Sequence, residues 1–233
     1  FGPRGSTLTS VFAKEALELG AELFDWEGKK ALSQQRVGTK VTGIGIGLSP
    51  YTAGSRGYDG MMVIRPDGKL WVHQGIGNLG THSIADTARA AADVLTMPWN
   101  RCVVVWGDTS KHLPRSCVQA GSQTTHAHTR ANHAAAMDAR RKLQEIAARE
   151  LGGSWSDYRM TGGRIQHRSN SSLRMTMGYA ARRAIQLGGK YSGHVLNEDL
   201  NARTVASATA LAGQGLVGAA RDNYPRDGST YSW

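Results

Sequence analysis

Two apolar runs, Met61 to Ile64 and Leu70 to Val72, are separated only by Arg65-Pro66-Asp67-Gly68-Lys69. Pro presets the first turn torsion and Asp-Gly accepts the positive φ that closes a tight reversal, so the runs are expected to fold back as a β-hairpin. The pattern then changes period. From about His82 to Leu95 the residues Ile84, Ala88, Ala91, Ala92 and Leu95 recur at helical spacing, and Arg101 to Trp106 reads as a buried strand, giving a β-α-β order. Thr125 to Leu151 is Ala-rich with Met137, Leu143, Ile146 and Leu151 on a helical period, and Gly152-Gly153 closes what is expected to be the longest helix. Further helices are expected over Ser172 to Leu187 and Ala202 to Leu211, a strand over Gln214 to Ala220, turns at Tyr224-Pro225 and Asp227-Gly228, and a β-prone end at Ser229 to Trp233. The fold class that follows is α+β, with hairpins and a mixed sheet packed against long helices.

Upstream, Leu8, Val11, Phe12, Leu17, Leu19, Leu23 and Phe24 predict a helix over Ser6 to Phe24, capped by Ser6 or Thr7, and a short polar helix follows over Trp26 to Gln35. Val41, Ile44, Ile46 and Leu48 alternate with Gly43, Gly45 and Gly47, which predicts a strand whose bare face lets another element pack close. The chain is therefore divided into a helical lead-in, 1–38, and an α+β region, 39–233, that is incomplete on its own. No apolar stretch approaches the ~20 residues of a membrane-spanning helix. Phe1-Gly2-Pro3-Arg4-Gly5 carries neither an initiator Met nor the charged and apolar regions of a signal peptide, as expected of a processed chain or a piece of a longer one. The cytoplasm is the expected compartment, with the periplasm left open.

Cys102 and Cys117 are the only cysteines, so a disulfide framework, a four-cysteine zinc site and a cysteine-held iron–sulfur cluster are beyond this chain alone. Cys102, inside an apolar strand, is expected in the core; Cys117 follows Arg115-Ser116 and reads as a small buried hydrophobe. The net charge is +10, of which residues 121–233 carry +7. Arg159, Arg164, Arg168, Arg174, Arg182, Arg183 and Lys190 run without an acid between Asp157 and Glu198. That field suits phosphates, nucleic acid or an acidic partner, and equally a solvated face. No nucleic-acid reader motif accompanies it, and nucleic acid is not an expected partner.

Gly75-Ile76-Gly77-Asn78-Leu79-Gly80 is a literal G-x-G-x-x-G between a strand and a helix. One reading is a dinucleotide site, NAD or FAD, with Asp108 on a ribose hydroxyl; another is a Gly-rich turn without a ligand. Against the first, the strand before the glycines belongs to a hairpin and Asp108 lies beyond the usual ~20-residue spacing. Ala120-Gly121-Ser122-Gln123-Thr124-Thr125 places small residues and hydroxyls before the long helix, where they grip an anion or a polar ring, or simply cap. His126, His128 and His133 follow, but no acid or cysteine completes a ligand set, and no protein-ligated metal is expected. Nothing selects a Ser-His-Asp triad.

Taken together, the hairpin, the Gly75 to His82 turn, the strand ending Val105-Trp106-Gly107-Asp108-Thr109, the Gly121 to Thr125 segment, and Gln214-Gly215-Leu216-Val217-Gly218 with Asp222-Asn223-Tyr224 resemble the molybdenum-binding large subunit of the xanthine dehydrogenase and aldehyde oxidoreductase family, the molybdenum hydroxylases. The resemblance covers most of residues 40–225 and corresponds to the middle of that subunit. It implies a molybdenum–molybdopterin cofactor, with the cytosine dinucleotide form admitted, approached by Gly77, Asn78, Leu79, Gly80, Thr81 and His82 and held by Gly121, Ser122, Gln123, Thr124 and Thr125. It also implies 2Fe-2S and FAD on partner chains, an iron–sulfur subunit and a flavin subunit, and a small-molecule substrate that is oxidised as an aldehyde or hydroxylated at an electron-poor carbon with water. Leu79 stands where that family commonly has Gln, and Gln123 where Arg is common. The family's catalytic Glu lies in a G-E-P-like motif, and this sequence has no Glu-Pro pair, so the base is expected outside this chain.

Overall fold

In the computed structural model the expected hairpin pairs β4 (Asp59–Ile64) with β5 (Leu70–His73), in the register Met61↔His73 to Ile64↔Leu70. Its turn works as the residue types require. Gly68 takes φ +77°, its amide donates to the Arg65 carbonyl at 2.8 Å, and the Asp67 carboxylate accepts from the Lys69 amide at 2.9 Å. The structure describes residues 12–48, 51–53, 58–222 and 230–232, with backbone pairing alone for 51–53 and 230–232. They fall into two compact units, Phe1–Ala53 with Arg226–Trp233, and Gly54–Pro225.

The first unit holds α1 (Ala13–Phe24), α2 (Trp26–Leu32), the paired β1 (Arg36–Val37) and β2 (Lys40–Val41), and β3 (Tyr51–Ala53) antiparallel to β11 (Thr230–Ser232). The proposed caps Ser6 and Thr7 lie outside the described residues, as do the turns at Tyr224-Pro225 and Asp227-Gly228. The strand expected over Val41 to Leu48 is corrected: residues 42–48 carry no regular structure, and Gly43, Gly45 and Gly47 face open space rather than a close neighbour. A glycine at every second position leaves one face nothing to bury and costs the most backbone entropy to order. Neither α1 nor α2 has a buried residue, and Leu19, Leu23 and Phe24 are exposed.

In the second unit β4 and β5 sit inside a four-stranded sheet, β10-β4-β5-β6, completed by β10 (Leu216–Arg221) and β6 (Cys102–Val105). β10 and β4 are antiparallel, as are β4 and β5, while β5 and β6 are parallel and joined by α3 (Ser83–Val94), as the β-α-β order predicts. The sheet is covered on both faces. Met62, Ile64, Leu70, Val72 and Leu216 meet α3, α4 (Thr129–Leu151) and α5 (Met177–Leu187), whereas Met61, Val63, Val217 and Ala219 meet Leu200, Leu211 and α6 (Ala202–Ala210). β6 is half-buried, not buried as expected, and Cys102 is half-buried with it, because β6 ends the sheet. Burial still pushes the Cys102 thiol up to about 11.

The alanines of α4 explain the close helix–sheet approach. A Cβ on Gly60 would lie 2.1 Å from the Ala131 carbonyl oxygen, and one on Gly218 would lie 2.7 Å from both the Ala135 carbonyl oxygen and the Ala139 Cβ. Flanking the core-facing stripe, α4 sends Asp138 and Lys142 to the free edge of β10. Lys142 Nζ donates to the Val217 carbonyl at 2.9 Å and bridges Asp138 at 2.6 Å, and the Ala219 amide donates to Asp138 at 3.0 Å. The Val217 amide donates to the Tyr191 carbonyl at 3.0 Å and Asn197 Nδ2 donates to the Ala219 carbonyl at 3.3 Å, so the edge is closed by unlike partners. Lys142→Met, which keeps the buried stem and strands Asp138, is expected to cost about 2 kcal/mol in urea unfolding.

A second sheet, absent from the sequence reading, is antiparallel: β7 (Tyr158–Thr161), β8 (Arg164–His167) and β9 (Arg174–Thr176). Tyr158, Met160, Ile165 and Met175 point into the core, and the arginines between them point out. The helix expected from Ser172 therefore starts at Met177, with Thr176 Oγ1 accepting from the Tyr179 amide at 3.2 Å. No helix among the described residues is long and apolar enough to cross a membrane.

Candidate functional site

At the C-terminal end of β5 the ladder continues one residue, the Gln74 amide donating to the Val105 carbonyl at 2.8 Å, and the chain then leaves the sheet as the Gly75 to His82 loop. Two of its glycines serve the protein itself. A Cβ on Gly75 would lie 2.2 Å from the Pro114 carbonyl oxygen, and Ser116 Oγ donates to the Gly75 carbonyl. Gly77 is held by Gln119, which accepts from its amide at 2.9 Å and donates to its carbonyl at 2.7 Å. Gly80 differs: it has φ +88° and nothing within 4 Å of where a side chain would start.

The loop tip is shaped by Asn78, whose side-chain oxygen accepts from the Gly80 amide at 2.9 Å and the His82 amide at 3.4 Å. Asn78, Leu79, Gly80, Thr81 and His82 are all exposed, Leu79 at 67%, and no side chain caps the α3 helix that begins behind them. The start of α3 is thus left without a side-chain cap, the arrangement that can receive an anionic or polar group.

Gly121, at φ +60°, and Ser122, at φ +53°, put two successive residues in the left-handed region. One turn of π-helix, Thr124–His128, follows and leads into α4 without a side-chain cap, so these hydroxyls are not helix caps. Thr124 is buried, Ser122 and Thr125 are exposed, and Gln123 Oε1 is buried without a hydrogen-bond partner. The two loops meet through Ile76, Ile84, Ala127, Ala131 and Tyr58, which form one apolar cluster with Cys117 packed against it. Tyr58 Oη donates to the Val118 carbonyl at 3.2 Å, and Arg130, in the first turn of α4, holds buried Asp222 through bonds of 2.8 and 3.1 Å. All eleven expected site residues therefore lie on two loops of one unit, anchored by the Gln119–Gly77 clamp and this cluster.

Beneath the first loop runs a buried polar network that the sequence did not announce. Gln74 Nε2 donates to the Ile84 carbonyl, and Gln74 Oε1 accepts from Thr87 Oγ1 at 2.7 Å and Asn132 Nδ2 at 3.1 Å. His73 has Nδ1 3.1 Å from the Lys111 carbonyl, which makes Nδ1 the protonated nitrogen; burial lowers its pKa to about 4. His128 is fully buried, edge-on to Tyr58, with neither ring nitrogen partnered, and burial lowers its pKa to about 3. His126 and His133 are exposed, and no group of three or more His, Cys, Asp or Glu converges among the described residues.

Nothing in this geometry favours a dinucleotide. The first two glycines of the G-x-G-x-x-G make room for Pro114, Ser116 and Gln119, not for a pyrophosphate, although the glycine loop does join parallel strands, as the hairpin alone did not suggest. Asp108 spends its carboxylate on the Ser110 amide at 2.9 Å and hydroxyl at 2.6 Å, and these bonds lower its pKa.

A family model for the molybdopterin cofactor-binding domain matches residues 19–217. Among solved structures, the chain is similar to the Cu,Mo-CO dehydrogenase in its carbon monoxide reduced state, at TM-score 0.55 and 20% identity, over 75% of this chain and 19% of that one. It is similar also to reconstituted CO dehydrogenase from Oligotropha carboxidovorans, at TM-score 0.55 and 18% identity, over 93% of this chain and 25% of that one. This chain thus spans 19–25% of the length of the chains it resembles. Among curated proteins none matches the sequence. Because the matched span covers most of the chain, with both loops and the strands β4, β5 and β6 that carry them, the chain belongs to the molybdopterin cofactor-binding domain family.

Proposed function

We propose that this chain lines the molybdenum–molybdopterin cofactor of a molybdenum hydroxylase that oxidises an aldehyde or hydroxylates an electron-poor carbon. Gly77, Asn78, Leu79, Gly80, Thr81 and His82 form one wall, and Gly121, Ser122, Gln123, Thr124 and Thr125 the other. The observation that carries the reading is the division of labour in the first loop: Gly75 and Gly77 are consumed by the protein, while Gly80 and the uncapped start of α3 stay open. The unpartnered Gln123 Oε1 offers the second loop's acceptor to a polar ring system, and the left-handed Gly121-Ser122 pair shapes the turn that presents it. These groups fit a pterin, which the protein grips by hydrogen bonds while the dithiolene holds the metal. When bound, the cofactor supplies two-electron redox chemistry; this chain's residues orient it. The cytosine dinucleotide form, 2Fe-2S and FAD on partner chains, the rest of the molybdenum subunit, a catalytic Glu outside this chain and a cytoplasmic setting belong to the same proposal.

The test is metal analysis with oxidative pterin fluorescence on the native material, alongside the double variant Ser122→Ala/Thr124→Ala. The expected result is molybdenum and pterin in equal amounts in the parent, and a several-fold lower pterin content in the variant at an unchanged melting temperature. Equal pterin in both would leave the second loop a structural turn, and a folded parent without pterin would overturn the reading.

A further inference from the structure

We infer that the outer face of the β7–β8–β9 sheet is a docking surface for an acidic polypeptide segment. Pairing across the sheet sets Arg159, Gln166 and Arg174 in one row and Thr161, Arg164 and Thr176 in the next, all on the side away from the core. The side chains of Arg159, Arg164 and Arg174 are exposed and make no hydrogen bond or ion pair among the described residues. Other arginines of the same run are occupied: Arg168 donates to the Ser156 carbonyl at 3.0 Å, Arg182 to the Pro66 carbonyl at 3.0 Å, and Arg183 bridges Glu150 at 2.7 Å. Two acids lie nearby and both are engaged: Glu150, which lines the adjoining cleft, is bridged by Arg183 and accepts from Tyr179 Oη at 3.2 Å, and Asp157, just before β7, accepts from the Ser154 amide at 2.7 Å.

Beside the face lies a cleft of about 450 Å³ into which Arg164, Arg174 and Arg182 converge, with Leu151, Met175 and Tyr179 as its apolar walls. Guanidinium groups of this kind bind carboxylates two-pronged, and the opposite side of the sheet, with Ile165 fully buried, holds their backbones rigid. The extent of the charge selects the occupant. Arg159 lies on the far strand, two strand spacings or roughly 10 Å from Arg174, and outside the cleft. A compact anion in the cleft leaves Arg159 unused, whereas acidic side chains at alternate positions of an extended segment, roughly 7 Å apart, reach all three strands.

The test is fluorescence polarisation of a labelled octaglutamate peptide against the whole chain, across a salt series. The expected result is salt-dependent binding that the triple variant Arg159→Gln/Arg164→Gln/Arg174→Gln weakens at least tenfold. The equally neutralised control Lys40→Gln/Lys69→Gln/Lys111→Gln should stay within twofold of the parent. Should the triple variant fail to fold, Arg159→Gln and Arg164→Gln alone are each expected to weaken binding about threefold. The inference is overturned by no binding near physiological salt, by equal losses in both triples, or by an effect of Arg164 without one of Arg159. Tighter binding of inorganic pyrophosphate or of a single-stranded oligonucleotide through the same arginines would overturn it in favour of a phosphate site.

Discussion

Moving from pH 7 to pH 4.5 is expected to remove about 5 kcal/mol of folding stability through His73 and His128 alone. Both are essentially buried in the folded state, at 2% and 0% exposure, and burial lowers their pKa values to about 4 and about 3 from the ordinary 6.5 of an exposed histidine. Below pH 6.5 the unfolded chain takes up a proton at each site that the folded chain refuses. The stability contributed is therefore present above 6.5, falls by about 1.4 kcal/mol per pH unit per histidine as the pH drops, and is exhausted below the folded values. Urea unfolding at pH 7, 6, 5 and 4.5 measures the slope. His128→Leu should halve it and leave stability at pH 7 no lower, because the two unpartnered ring nitrogens disappear with the imidazole. A slope near zero between pH 6 and 4.5 would mean that the two rings are solvated.

Gly60→Val is expected to abolish folding of the second unit, at a cost above about 4 kcal/mol. The new Cβ would meet backbone, 2.1 Å from the Ala131 carbonyl oxygen and 2.5 Å from its carbon, and no rotamer change relieves that. The helix must instead lift from β4, which opens the Gly60–Ala135 and Gly218–Ala139 contacts together. Gly80→Ala is the counterpart: the residue is strained by φ +88° but meets no neighbour, so about 1 kcal/mol is the expected loss. Circular dichroism melts of the two variants separate a glycine that packs from one that is left open at the loop tip.

The parts of the fold that were legible rest on local chemistry. Pro66-Asp67-Gly68 specifies its own turn, the Ile84 to Leu95 period bounds α3 within a residue or two, and the Gly152-Gly153 stop fixes the end of α4, whose start lies four residues beyond the expected Thr125. Strands β7 to β9 were hidden because each is three or four residues long and carries arginine at the outward positions, so a period of two read as a charge run. Residues 42–48 erred the other way, an alternation without side chains to bury on both faces. At the candidate site the two loops were visible as glycine and hydroxyl clusters, but what locks them was not. Gln119 is distant in sequence from Gly77, and Gln74, Thr87 and Asn132 come from three different segments, so only tertiary structure brings them together. The π-helical turn is equally silent, since Thr124 to His128 is compatible with an ordinary helix start.

The closed edge of β10 bears on how this molecule breathes. A terminal strand usually frays first, its outer amides exchanging with solvent while the rest of the sheet stays intact. Here the outer amides of Val217 and Ala219 are committed to Tyr191 and to Asp138 of α4, so the strand cannot peel away without disengaging the longest helix. β10 and α4 therefore open as one cooperative element. Because α4 begins at the π-helical turn beside Ser122, the rigidity of that loop is underwritten from the middle of the same helix.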